Sequence, residues 1–129
     1  MSDTLTPPPV LVPMTRIVCA VGELVTLGDA PYGERRYVPL GDGAAAHYVI
    51  RTDDGALVEV RSEGMRHGPP EVMARLASGE AVPSAQYFFR TVMRFTTGDA
   101  RWQHLNKVIA IARGEREARA VKLEVYRLA

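Results

Sequence analysis

Along most of the chain, apolar and polar residues alternate with a period of two, and clusters of Gly, Pro and Asp interrupt the alternation every eight to twelve residues or so. Period two sends successive side chains to opposite faces of an extended strand, so the pattern predicts half-buried strands joined by turns. The run Met14–Val21 is rich in β-branched residues and stops at Gly22, which reads as a first strand. A turn-rich passage with Gly28, Asp29, Pro31 and Gly33 precedes a second strand, Glu34–Leu40, and Gly41-Asp42-Gly43 breaks it. The segments Ala46–Thr52 and Ala56–Ser62 flank Asp53-Asp54-Gly55. Asp and Gly tolerate the positive φ of a tight turn, so this unit predicts a β-hairpin.

Between Gly68 and Gly79 the period changes. Pro69 and Pro70 suit a first helical turn, Gly79 suits the left-handed end, and Val72, Met73, Leu76 and Ala77 share one face, so a short helix is expected. Gln86–Phe95 reads as a long aromatic strand, and Ala100–Leu105 as a helical turn with Asp99 as its N-cap. Two further strands, Asn106–Ala112 and Val121–Leu128, are expected on either side of a loop over 113–119. About seven strands with one short helix and one helical turn predict an all-β, mainly antiparallel domain. An up-and-down barrel or half-barrel fits best, with a sandwich as the alternative. Residues 1–13, carrying Pro7, Pro8, Pro9 and Pro13, read as a flexible tail, and residues 14–129 as one domain.

Composition narrows the function classes. At 129 residues the chain has room for one core. Lys and Arg total 16 against 15 Asp and Glu, and the cations are scattered, so the positive stripe that a nucleic-acid groove needs is missing. No apolar run reaches the roughly 20 residues that span a bilayer. The N-terminus lacks the pattern of a signal peptide, and the single cysteine, Cys19, sits mid-strand as a small hydrophobe; a cytoplasmic location is expected. His47, His67 and His104 show no zinc-site spacing, and neither a Gly-x-Gly-x-x-Gly nor a phosphate-loop pattern occurs, so no metal and no nucleotide cofactor are expected.

The candidate chemistry lies in polar residues set among apolar ones. Arg90 stands between Phe88-Phe89 and Thr91-Val92. Facing an interior, it would suit a carboxylate, enolate or phenolate through charge-assisted bonds. Alternation leaves two assignments open: Gln86, Phe88, Arg90, Val92 and Arg94 share one face, while the more apolar set Tyr87, Phe89, Thr91, Met93 and Phe95 shares the other. Tyr48, Arg51, Tyr87, Trp102, His104 and Asn106 complete the ligand-binding candidates, since strand interiors and loop mouths present a barrel's hydrogen bonds. Each has a plainer reading, Trp102 as a clamp on the helical turn and Asn106 as a backbone-bonding residue at a loop end. Asp53 and Asp54 read as turn formers.

Five stretches, in order, resemble the domain of unknown function 3237 family: Leu27–Arg36, Arg51–Val60, Arg66–Arg75, Tyr87–Thr91 and Trp102–Asn106. The resemblance implies a calycin-like up-and-down β-barrel with a central cavity and no generally established activity. Family members usually carry a further block after the strand ending near Leu40, with Gly-Gly-x-x-x-Gly-Pro and Gly-Ala-Asp-Trp motifs. Here Gly41-Asp42-Gly43 leads through three alanines into His47, so about two strands are missing. A barrel so shortened must close with fewer strands, open a seam or recruit a partner's edge, which makes a homodimer one expected solution. Three functions follow as expectations: a small-molecule-binding barrel for an apolar, anionic or phenolic metabolite; a cofactor-independent isomerase or cyclase; and an oligomerisation module without a cavity.

Overall fold

A computed structural model describes residues 6–20, 36–40 and 43–129. The Gly28–Gly33 passage, the Gly41-Asp42 break and most of the Leu27–Arg36 stretch lie outside the described residues. Among the described residues seven strands form one sheet: β1 (Leu11–Ala20), β2 (Arg36–Leu40), β3 (Gly43–Arg51), β4 (Leu57–His67), β5 (Phe88–Thr96), β6 (Ile109–Arg116) and β7 (Ala120–Leu128). The order is β1-β7-β6-β5-β4-β3-β2, every pair antiparallel. From β2 to β7 it is an up-and-down meander, and the N-terminal strand returns to pair with the C-terminal one. The sheet curls into a half-barrel.

The first strand begins before the expected boundary at residue 13. Leu11 faces Leu128, and Val10 and Ala129 exchange both backbone hydrogen bonds, at 3.1 and 3.0 Å. Pro13 belongs to the sheet because the register shifts between Pro13 and Thr15, and a bulge is one of the few places in a sheet where a residue without an N–H is tolerated. The helix α1 covers Pro70–Ala77, and the helical turn is a 3-10 segment, Ala100–Lys107, capped by the Asp99 carboxylate, which accepts from the Arg101 N–H at 2.9 Å. Gly55 holds φ +88° in the β3–β4 turn, as the Asp-Gly pattern requires.

Alternation decides which face is core. On β5 the residues Phe89, Thr91, Met93 and Phe95 are buried and those between them are exposed. They join Val58 and Val60 of β4, Ala110 and Ala112 of β6, and Leu123 and Val125 of β7 on the concave side. Removing Val60 or Met93 from water contributes about 1.5–3 kcal/mol each. A second cluster forms where α1 lays Val72 and Leu76 on Val82, Tyr87 and Phe89.

The curl has a sequence cause. Gly64 of β4 lies opposite Thr91, and Gly114 of β6 opposite Leu123, both on the concave face. A Cβ on Gly64 would stand 2.6 Å from the Thr91 Cα, and one on Gly114 2.7 Å from the Phe89 ring. Strand glycines of this kind mark a bend where two parts of the chain approach too closely for a side chain.

Candidate functional site

Curling brings β1 and β3, far apart in the sheet order, to the two sides of one cleft of about 980 Å³. Its apolar lining comes from Ile17 of β1, Tyr48 of β3, Val58, Phe95 and Leu105, all buried. The rim is polar: Arg51 and the Thr52–Asp54 turn, with Trp102 and His104 of the 3-10 segment beside it.

Four of the expected residues, Tyr48, Arg51, Trp102 and His104, therefore meet at this cleft. Tyr48 is 7% exposed and its ring belongs to the core cluster. Arg51 is exposed and has no ion-pair partner among the described residues. The rings of Trp102 and His104 stand 5.8 Å apart.

The other three do not reach it. Arg90 is exposed on the convex face, where its Nη1 donates to the Phe89 carbonyl at 2.9 Å and its guanidinium lies 5.3 Å from the centre of the Phe88 ring. The apolar set on β5 takes the core, which decides between the two faces that alternation left open and takes Arg90 out of the candidate ligand-binding residues at the cleft. Tyr87 is buried in the α1 cluster, with its hydroxyl accepting from the Arg116 N–H at 2.8 Å; burial raises its pKa. Asn106 accepts from the Thr97 N–H at 2.9 Å and donates to the Thr97 carbonyl at 3.0 Å, so it fastens the 3-10 segment to the end of β5.

Asp54 is the residue that sequence reasoning missed. Its carboxylate accepts from the Thr52 hydroxyl and from the Trp102 indole N–H at 3.0 Å, and it faces the Arg101 guanidinium at 3.6 Å. Arg101 also donates to the Asp54 carbonyl at 2.9 Å. The hairpin turn is thereby tied to the 3-10 segment, which fixes Trp102 at the rim. The Thr52 hydroxyl first, then the Trp102 N–H and the Arg101 charge, hold the Asp54 carboxyl below its ordinary pKa. Asp99 is pushed down to about 2, chiefly by the Arg101 side chain and backbone N–H. An acidic residue followed by glycine reads as a turn former, and a partner some 48 residues away leaves no local signal.

His47 lies 3.3 Å from the Glu59 carboxylate and His67 stacks on Phe88 at 4.9 Å, so neither joins His104. Among the described residues no three His, Cys, Asp or Glu side chains gather as a metal site. No helix among them is long and apolar enough to cross a membrane.

Comparison with known proteins agrees with this architecture. A UPF0311 protein of Bradyrhizobium diazoefficiens is 30% identical over 139 residues, covering 87% of this chain and 91% of the relative. That aligned span exceeds the 129 residues of the chain, so the relative carries residues that this chain lacks. A crystal structure of a conserved protein of unknown function from Rhodopseudomonas palustris superposes with a TM-score of 0.80 at 26% identity, covering 97% of this chain and 100% of that one. A β-barrel-like protein from Acinetobacter baumannii gives 0.68 at 27% identity, covering 98% and 100%. The family described as "Protein of unknown function (DUF3237)" matches residues 44–128, and the chain belongs to that family.

Proposed function

We propose that the protein binds a small amphipathic molecule in the cleft between β1 and β3, with the apolar part of the ligand against Ile17, Val58 and Phe95 and an anionic or phenolic group at the rim. The cleft itself carries this reading. Its volume of about 980 Å³ falls at the upper end of the range for small-molecule sites, with an apolar lining and few polar groups. Arg51 is the anchor for an anion, because no carboxylate neutralises it among the described residues, whereas the Asp54 carboxylate is already engaged by Thr52, Trp102 and Arg101. His104 supplies a further polar edge. A cleft left unfilled by the described residues supports binding over an oligomerisation module whose interior is filled by its own side chains.

The test is a thermal-shift screen against aromatic and keto acids. A ligand at 100 times its Kd stabilises the folded state by about 2.7 kcal/mol, which is well within detection. At least one such acid is expected to raise Tm, and Arg51→Ala is expected to weaken its binding about tenfold or more while Arg90→Ala leaves it unchanged. A screen in which no acid shifts Tm, or an Arg51→Ala variant that binds as well as the parent, would overturn the proposal.

A further inference from the structure

The convex face of β4, β5 and β6 is built unlike an ordinary solvated sheet surface. Arg61 lies directly opposite Arg94, and Arg90 directly opposite Arg113. Like charges in facing positions destabilise a sheet. Two of the four are neutralised within the sheet: Arg61 by Glu59 at 3.3 Å and Arg113 by Glu124 at 2.8 Å. Arg90 and Arg94 have no carboxylate partner among the described residues. Around them stand exposed apolar side chains: Met65 at 50%, Val92 at 47%, Ile109 at 46% and Phe88 at 42%. The face thus offers two unneutralised guanidiniums flanking Val92 on a bed of exposed apolar groups.

We propose that this face binds an acidic, apolar-centred segment of a partner protein, lying extended along β5. Charge complementarity names the chemistry: planar guanidiniums pair with carboxylates through two parallel bonds. Spacing names the pattern. Four residues of strand separate Arg90 from Arg94, about 14 Å at the ~3.4 Å rise of a strand. An extended segment with two acidic residues four positions apart and an apolar residue midway matches both arginines and Val92. Size selects a segment over a second copy of the chain. Three strands about 4.8 Å apart and about 20 Å long make a patch of roughly 300 Å², against the ~800 Å² per partner of a stable interface. Glu63, directly opposite Val92, and Glu59 and Glu124, paired with Arg61 and Arg113, break up the positive field of this face, so two discrete carboxylates spaced to meet Arg90 and Arg94 fit it where the continuous phosphate charge of a nucleic-acid strand does not.

The test uses the full chain and a fluorescein-labelled peptide, Gly-Glu-Ser-Leu-Ser-Glu-Gly amide, followed by anisotropy at low salt. Its isomer with the two glutamates adjacent is the control. Saturable binding is expected, at least tenfold weaker for an Arg90→Gln, Arg94→Gln double variant and several-fold weaker for the isomer. Both substitutions are at exposed positions, and an unchanged Tm verifies folding. Absent binding, equal binding of the two peptides, or an unaffected double variant overturns the proposal. So does a ten-nucleotide single-stranded RNA that displaces the peptide at lower concentration than unlabelled peptide does, or a dimer in sedimentation that Val92→Asp dissociates.

Discussion

Adding one methyl group at Gly64 tests the origin of the curl and of the cleft together. In Gly64→Ala the new Cβ meets the β5 backbone, 2.6 Å from the Thr91 Cα and 2.9 Å from the Arg90 carbonyl carbon, with the Arg90 carbonyl oxygen nearer still. Backbone has no rotamer by which to yield, so β4 and β5 must part by about 1.4 Å for the nearest of these atoms to reach ordinary contact at 3.4 Å. Overpacking of this kind costs about 1–3 kcal/mol, and each neighbouring ladder hydrogen bond that stretches adds about 1 kcal/mol. A total of about 2–5 kcal/mol is a large share of the 5–15 kcal/mol that holds a domain folded. At roughly 3–4 °C per kcal/mol for a chain of this size, Tm falls by about 6–20 °C. Because flattening the β4–β5 bend moves β1 away from β3, any ligand bound at the cleft weakens as well. Gly98→Ala is the control, since a Cβ added there would meet nothing within 4 Å and the backbone at this position is not in the left-handed region. Measured side by side by circular dichroism, a Gly64→Ala variant that melts within about 2 °C of the Gly98→Ala control would refute the reasoning.

Other changes probe single contacts. Gly114→Ala presses on the Phe89 ring rather than on backbone, so the ring can shift, and a smaller loss of about 1–3 kcal/mol in denaturant titration is expected. Asn106→Ala removes both bonds to Thr97 and costs about 1–2 kcal/mol by the same titration. Asp99 titrates near 2 in the folded chain against 3.8 ordinarily, so its contribution to stability is complete above pH 3.8 and is lost as pH falls toward 2. The slope of Tm between pH 4 and pH 2 is therefore shallower in Asp99→Asn than in the parent. Met93→Ala leaves a void at a fully buried position and lowers stability by about 2–5 kcal/mol, read from the same unfolding curves.

The strand pattern and the hairpin at Asp53-Asp54-Gly55 were legible from alternation and turn chemistry, which act over a few residues. Two misplaced strand ends share a cause. The strand expected to end at Ser62 runs on to His67 through Gly64, and the one expected to end at Ala112 runs on to Arg116 through Gly114. Glycine inside a strand reads locally as a break, whereas here each glycine is the place where the sheet bends against a residue distant in sequence. The site was legible in part for the same reason. Tyr48 follows from β3 alternation, whereas Arg51, three residues on, falls on the other face of the strand and meets the cleft only at its rim; the Asp54–Trp102 contact exists only after the hairpin and the 3-10 segment are brought together.

Arg90 makes the physical rule plain. A guanidinium amid aromatic residues suggests a pocket, but a strand has two faces, and its side chains are distributed between them by the more apolar set. On β5 that set is Phe89, Met93 and Phe95, which commits Arg90 and Arg94 to the convex side whatever their immediate neighbours. One strand then serves two surfaces: Phe95 lines the cleft, and Arg90, Val92 and Arg94 stand outside it. A half-barrel has this consequence where a closed one would not. Among the described residues its interior is open along one side, so a ligand of the kind proposed above would keep one end near water, and the apolar lining and charged rim of the cleft would favour amphipathic molecules over wholly apolar ones.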